Sequence, residues 1–158
     1  MLSYETLDRI ADAHNPLLGL VWIALVLRAL AARRWRTGAW RALIGLYTLV
    51  VAYGMEYVDI ATGAWPALGL DYSTHTAVAV AMLATLAAIS RVGGWVAAAT
   101  FALYVPLMLH QGYHGPGDIL STTLVVGALT LPPAWRARRT LLGRATAVAG
   151  SPAAAPVA

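Results

Sequence analysis

Five long apolar stretches separated by short polar connections constrain this 158-residue chain more than any other feature of its sequence. Only 11% of the residues are charged and 59% are hydrophobic, whereas a soluble domain typically carries about 25% charged residues. This composition excludes a soluble single-core protein, a disordered chain and a nucleic-acid-binding module. It predicts an all-α, polytopic membrane bundle of about five transmembrane helices. The predicted spans cover residues 16–32, 42–60, 74–90, 92–109 and 119–131.

Several of these stretches lie at or below the roughly 17–25 residues that a helix needs to cross a bilayer. We therefore expect the polar residues at their ends, including His75, His114 and Asp118, to lie at membrane depth. The fifth stretch is predicted to stop at the Pro132-Pro133 pair, because proline cannot donate a backbone hydrogen bond. Residues 1–144 are predicted to form one transmembrane domain. Residues 145–158, mostly Ala, Pro, Gly and Val, are predicted to be a disordered tail.

The positions of the arginines predict how the chain is oriented. Every basic residue is arginine, and Arg9 is the one that lies before the first span. With five alternating spans, the arginines of the connections and of the C-terminal segment fall on one face, which the positive-inside rule assigns to the cytoplasm. The N-terminus and all four histidines then lie outside. A chain rich in alanine and arginine and free of lysine is typical of a GC-rich bacterium, so we expect the bacterial inner membrane.

Two short polar segments on the predicted outer face carry the residues suited to chemistry. The first, DYSTHT at 71–76, opens the third span with Ser73 or Thr74 as N-cap. The second, HQGYHGPGD at 110–118, leads into the fifth span, where Pro116 fits a first helical turn. His75 and His114 therefore both lie near helix N-termini. Such termini present unpaired N–H groups and a partial positive charge, which favour anions such as phosphate.

The spacing of His114 and Asp118 suggests a nucleophile. If the backbone between them is helical, both side chains share a face, and the carboxylate can accept a hydrogen bond from one imidazole nitrogen. That contact fixes the tautomer and leaves the other nitrogen free to attack. A second histidine, His75, is placed to protonate a leaving oxygen.

The elements STHT at 73–76 and GYHGPGDIL at 112–120 resemble those of the type 2 phosphatidic acid phosphatase superfamily. The resemblance covers residues 73–127 and is closest to the lipid-phosphotransferase branch that includes the sphingomyelin synthases. It implies that His114 is the phosphorylated nucleophile, His75 the general acid and Asp118 the orienting partner, on the extracytoplasmic side. It implies that the reaction needs no cofactor. The expected partners are a lipid substrate and the bilayer, and no nucleic acid is expected. Phosphatase members carry a Ser-Arg pair where this chain has Leu107 and Met108, which favours the phosphotransferase branch.

Polar neighbours of the two elements are the candidate substrate contacts: Ser73, Thr74, Thr76, Gln111, Tyr113 and Glu56. Glu56 is an ionisable residue inside an apolar span, which marks it as a functional candidate. Because few positive charges lie nearby, a phosphodiester or a diphosphate ester fits better than a dianionic monoester. The acceptor of the phospho group, water or a lipid hydroxyl, stays open at this point.

Two other functions remain open from the sequence. A metal-dependent membrane hydrolase would use His75, His110, His114 and Asp118 as ligands, with Glu56 completing an N/O set. Against it, the glycines and the proline between these residues interrupt the helix that the spacing requires. A non-catalytic membrane subunit with the same fold is the other alternative. His14 and the acids Asp59 and Asp71 are expected to be solvated.

Overall fold

The computed structural model describes residues 3–149, with side chains as far as Arg139. Over this range the chain forms five α-helices and one short 3-10 helix, and it contains no strand. The helices are α1 (Tyr4–Ala31), α2 (Trp35–Thr62), α3 (Thr74–Ile89), α4 (Arg91–Gln111) and α5 (Pro116–Ala149). The 3-10 helix, Pro66–Leu68, lies in the connection between α2 and α3. The all-α prediction is confirmed, and each predicted apolar stretch lies on one of the five helices to within one residue at its end.

Among the described residues, α1, α2 and α4 are long and apolar enough to cross a membrane. This supports the expectation of a membrane protein. α3 is apolar but has only 16 residues. At 1.5 Å per residue it spans about 24 Å, which is less than the roughly 30 Å hydrocarbon core of a bilayer.

The short helix α3 is the centre of the bundle and packs against each of the other four helices. Its sequence is dominated by alanine and other small residues, and most of them are buried. Small side chains allow neighbouring helices to approach closely. One polar contact is sealed inside this packing, where the hydroxyls of Thr48 in α2 and Thr85 in α3 lie 2.7 Å apart, both 0% exposed. Each hydroxyl thereby satisfies the other in an apolar interior.

The prediction that the last helix stops at the Pro132-Pro133 pair is wrong, because α5 continues through both prolines to Ala149. Proline at 133 lacks the N–H that would bond the carbonyl of Leu129, four residues earlier. The hydroxyl of Tyr47 in α2 donates to that carbonyl at 2.8 Å and replaces the missing donor. The backbone of residues 145–149, predicted as the start of a disordered tail, is thus helical. Residues 150–158 lie outside the described residues.

The bundle has two ends of opposite charge. At one end, which we call the carboxylate end, the start of α1 meets the last turn of α4 through a hydrogen bond from the Tyr4 hydroxyl to the carbonyl of Gln111. The connections α2–α3 and α4–α5 lie at the same end, which carries all seven carboxylates: Glu5, Asp8, Asp12, Glu56, Asp59, Asp71 and Asp118. The arginine end comprises the end of α1, the start of α2, the junction of α3 and α4, and the second half of α5.

Candidate functional site

Asp118 ties the two predicted polar segments together at the carboxylate end. Its Oδ1 accepts the backbone N–H of Asp71 at 2.8 Å, and its Oδ2 accepts the backbone N–H of Gly115 at 2.8 Å. The second bond caps the first turn of α5, and the first bond fixes the α2–α3 connection beside that turn. Asp118 therefore holds the α2–α3 connection, which leads into His75, beside the loop that carries His114.

The carboxylate beside His114 is that of Asp71. Gly112 ends α4 in the left-handed conformation, with φ of 70°, and residues 112–115 are not helical. The helical condition for pairing His114 with Asp118 is therefore not met. His114 Nδ1 instead lies 3.4 Å from Asp71 Oδ2, at ion-pair distance but without hydrogen-bond geometry. The His114 side chain is 12% exposed and that of Asp71 is 72% exposed, so Asp71 is solvated as expected and still faces the ring.

His75, the second residue of α3, contacts the loop that carries His114 through Tyr113. The rings of His75 and Tyr113 stack with centroids 5.5 Å apart and an interplanar angle of 21°. Tyr113 is the chain neighbour of His114, so residues of α3 and of the α4–α5 loop share one cluster. The backbone carbonyl of His75 accepts a hydrogen bond from Asn15 of α1 at 2.9 Å, which fixes the first turn of α3 against α1.

Asp8 of α1 completes this cluster, although the sequence analysis did not identify it. Its Oδ1 accepts a hydrogen bond from the hydroxyl of Tyr113, and Gln111 Nε2 donates to the same oxygen at 3.4 Å. The hydrogen bond to Asp8 and, secondarily, burial raise the pKa of the Tyr113 phenol. Asp8 and Asn15 share a helical face with the buried Ala11 and Leu18. That spacing of three and four residues is the signal by which their inward position could have been found.

The remaining predicted substrate contacts divide into buried and accessible residues. Ser73 and Thr76 are both 0% exposed; the Ser73 hydroxyl donates to Thr76 Oγ1 at 2.8 Å and accepts the Thr76 N–H at 3.3 Å. Ser73 is the predicted N-cap of α3, and neither buried side chain forms a surface that a substrate reaches. Thr74 and Glu56 are half-buried, with the Thr74 hydroxyl donating to Glu56 Oε1 at 2.9 Å. Gln111 is buried, and within the described part of the chain its Oε1 has no hydrogen-bond partner.

His14 also differs from expectation, because it is half-buried rather than solvated. Its ring stacks on that of Tyr104 in α4, with centroids 4.1 Å apart, and its Nδ1 lies 3.1 Å from Asn15 Oδ1. Both His14 Nε2 and the Tyr104 hydroxyl are buried, and neither has a hydrogen-bond partner among the described residues. Asp59 is buried as well, and its Oδ1 accepts the backbone N–H of Trp65 at 2.8 Å.

The residues proposed as metal ligands do not assemble into a binding site. His110 lies exposed in the last turn of α4, whereas His114 is mostly buried. Over the described side chains, no group of three or more His, Asp or Glu is arranged to hold a metal ion. The ligand set required by the metal-dependent alternative is therefore not present in this part of the chain.

The electrostatic environment of the cluster is negative. Burial, followed by the charges of Glu56 and Asp59, raises the pKa of Tyr72, which lies in the α2–α3 connection. The Tyr72 hydroxyl donates to the carbonyl of Ala52 at 2.6 Å. A negative environment opposes a second negative charge on a bound ligand. The site is therefore better suited to a singly charged or neutral group than to a dianion.

Comparison with protein-family models, with curated proteins and with solved structures gives no match for this chain.

Proposed function

We propose that the protein is a membrane enzyme that transfers or hydrolyses the phospho-head group of a lipid phosphate ester through a phosphohistidine at His114. The observation that carries this proposal is the meeting of His75 and the 112–115 loop through the Tyr113 ring, with the Asp71 carboxylate 3.4 Å from His114 Nδ1. Two imidazoles from different segments, one of them beside a carboxylate, supply a nucleophile and a proton donor. The arginine pattern favours a site on the outer face of a bacterial inner membrane.

In the first step, Asp71 favours the tautomer of His114 that carries its proton on Nδ1, which leaves the Nε2 lone pair free. Nε2 attacks phosphorus and forms a P–N bond as the ester P–O bond breaks. The departing oxygen keeps the bonding electrons and takes a proton from His75. In the second step, a hydroxyl of water or of a lipid attacks phosphorus, the P–N bond breaks, and the hydroxyl proton passes to His75.

The charge of the site favours a phosphodiester over a phosphomonoester. A phosphodiester carries one negative charge, whereas a monoester approaches two at neutral pH. Four acidic residues contact this cluster or the segments that form it, namely Asp8, Glu56, Asp71 and Asp118, and the charge of Asp12 acts on Tyr113. Among the described side chains, exposed Arg9 of α1 is the one arginine at this end. Because a single exposed arginine is too little to neutralise a dianion, the diester is the substrate class that this environment opposes least.

The test uses purified protein in detergent micelles with phosphatidylcholine as the diester and phosphatidic acid as the monoester, with a chelator present throughout. We expect release or transfer of the phosphocholine group, and an acid-labile phospho-adduct on residue 114 by mass spectrometry. His114→Asn should abolish both, and His75→Gln should slow turnover at least about tenfold, as expected for loss of a general acid. His110→Asn is the matched control, because His110 is exposed at the same end.

Three outcomes would overturn this assignment. An adduct that persists in His114→Asn places the nucleophile elsewhere. Activity that the chelator removes indicates a metal-dependent hydrolase. Absence of turnover on both lipids, together with full complementation of a deletion strain by His75→Gln and His114→Asn, indicates a non-catalytic subunit.

A further inference from the structure

A cavity of about 600 Å³ lies at the arginine end, opposite the candidate active site. Five arginines line it, and each comes from a different segment: Arg28 of α1, Arg34 of the α1–α2 connection, Arg41 of α2, Arg91 at the start of α4 and Arg138 of α5. Separate segments thus place five guanidinium groups around one space. The proposed phosphohistidine chemistry uses none of them.

Among the described residues, no carboxylate lines this cavity to balance its charge. All seven carboxylates belong to the opposite end, and the sequence contains no Asp or Glu at 13–55, at 72–117 or after 118. Like charges gathered in a partly enclosed space repel each other, and the repulsion strengthens as water is excluded. An anion from outside the chain would relieve it. The positive-inside rule explains why arginines lie at this end, but it does not require that they surround a common cavity.

Two of the five arginines are already held in place. Arg41 and Arg138 are half-buried. Arg41 Nη1 donates to the carbonyl of Leu25 at 2.8 Å, and Arg138 Nη1 donates to the carbonyl of Ala87 at 2.9 Å. A guanidinium has five N–H donors, so each retains others for a ligand. Because these side chains are fixed beforehand, a bound anion would lose less of its affinity to side-chain ordering.

A second cavity, of about 670 Å³, adjoins the first and shares Arg91 and Arg138 with it. Apart from its arginines, its lining is apolar and includes Trp95 of α4 and Trp135 of α5. Both tryptophans are largely exposed, at 77% and 57%. A ligand that fills both spaces needs an anionic head and an apolar tail. Free phosphate matches the first cavity alone.

We infer that these joined cavities bind an anionic phospholipid, with its phosphate among the arginines and an acyl chain against Trp95 and Trp135. Basic pockets between helices on the cytoplasmic side of a membrane are suited to anionic headgroups. Arginine is the side chain best suited to holding a phosphate through two parallel hydrogen bonds. This site is separate from the one proposed above and stands whether or not the protein is an enzyme.

The test titrates phosphatidylglycerol into the full-length protein in a non-ionic detergent and follows binding by native mass spectrometry. Arg34→Gln and Arg91→Gln are the test variants, because both side chains are exposed and their loss leaves the Arg41 and Arg138 contacts intact. We expect each to raise the Kd about tenfold, as for loss of one charge-assisted contact. Arg36→Gln is the control: Arg36 is exposed at the same end but lines neither cavity. It should change the Kd less than about twofold.

Equal weakening by Arg36→Gln would overturn the site and leave only diffuse charge attraction. Equal binding of phosphatidylcholine, weakened to the same extent by Arg34→Gln and Arg91→Gln, would overturn the requirement for an anionic lipid; phosphatidylcholine binding that these changes leave unaltered belongs to the site at the other end. Inorganic phosphate that binds with the same arginine dependence, in the absence of phosphatidylglycerol binding, would assign the cavity to free phosphate. An unchanged Tm of each variant shows that the comparison is made between folded proteins.

Discussion

The hydroxyl of Tyr113 donates a hydrogen bond to the carboxylate of Asp8, which joins the α4–α5 loop to the first helix. The same tyrosine ring stacks on His75. One side chain therefore links three segments of the carboxylate end and sets how His75 lies relative to the loop that carries His114. This contact is the first target for testing the arrangement.

Tyr113→Phe keeps the stacking ring and removes the hydroxyl. We expect a loss of about 1 kcal/mol in stability, seen as a Tm lower by about 3 °C for a chain of this size. Turnover should also fall, because the loop is less firmly held. Asp8→Asn combined with Tyr113→Phe should cost less than the sum of the two single changes. Tyr57→Phe, at an exposed position of α2, is the control; strict additivity would mean that the two residues do not interact.

The same bond makes stability sensitive to alkaline pH. Free tyrosine has a pKa of 10.0, and the contact with Asp8 raises that of Tyr113 in the folded state. Above pH 10 the unfolded chain releases this proton while the folded chain retains it, so stability falls as pH rises; below pH 10 the contribution is fully present. We expect the Tm of the wild type to decline more steeply than that of Tyr113→Phe between about pH 9 and about pH 11. Parallel curves would show that Tyr113 makes no such contribution.

Substitutions at Asp71 and at Asp118 should have different effects, the first on turnover and the second on stability. Asp71→Asn removes the charge beside His114 at a largely exposed position, so we expect turnover to fall at least about tenfold with little change in Tm. Asp118→Asn weakens two hydrogen bonds to backbone N–H groups. We therefore expect the free energy of unfolding to fall by about 1–2 kcal/mol, seen as a lower Tm. Loss of turnover in Asp118→Asn, with turnover unchanged in Asp71→Asn, would instead indicate that Asp118 is the partner of His114.

Tyr47 and Pro133 form a pair that a double substitution can test. Tyr47→Phe leaves the carbonyl of Leu129 without a donor, and we expect a loss of about 1 kcal/mol. Pro133→Ala restores the backbone N–H for that carbonyl, so Tyr47→Phe should cost much less in this background. Tyr53→Phe, on the exposed surface of α2, controls for the loss of a tyrosine hydroxyl. An equal cost in both backgrounds would show that the hydroxyl does not replace the missing donor.

Two glycines of α2 give a matched test of helix packing. A Cβ at Gly45 would lie 2.2 Å from Cε2 of Trp22 in α1, whereas a Cβ at Gly54 meets nothing within 4 Å. Trp22 is itself held by a hydrogen bond from its Nε1 to the carbonyl of Arg41 at 2.8 Å. We expect Gly45→Ala to cost about 1–3 kcal/mol through overpacking, measured by thermal unfolding. Gly54→Ala should be neutral or slightly stabilising, because alanine favours helix; equal effects would contradict close packing at Gly45.

The helices and the N-cap at Ser73 could be predicted because they depend on local patterns. Apolar runs of helical length and the capping preference of serine act within a few residues of the chain. Such patterns also separated the histidine-bearing segments from most arginines. The two polar segments were correctly placed at one end because successive spans run in opposite directions, which puts alternate connections at the same end.

The pairing of His114 could not be predicted, because it depends on where Gly112 ends α4. Once the backbone leaves the helix there, a spacing of four residues no longer places two side chains on one face. The continuation of α5 through its two prolines could not be predicted either, because the donor to the Leu129 carbonyl is the hydroxyl of Tyr47, 82 positions away. The role of Asp8 could not be predicted because its partner, Tyr113, lies 105 positions away in the chain. Contacts of this range depend on how the helices pack.

The separation of carboxylates from arginines along the bundle also makes the molecule an electric dipole. In an energised membrane, one elementary charge moved across the full potential changes energy by about 2.3 kcal/mol per 100 mV. In the orientation that we propose, the positive pole would lie at the negative interior and the protein would lie along the field; inverted, it would oppose the field. In that orientation, the charge pattern would also hold the inserted protein in place for as long as the cell maintains its voltage.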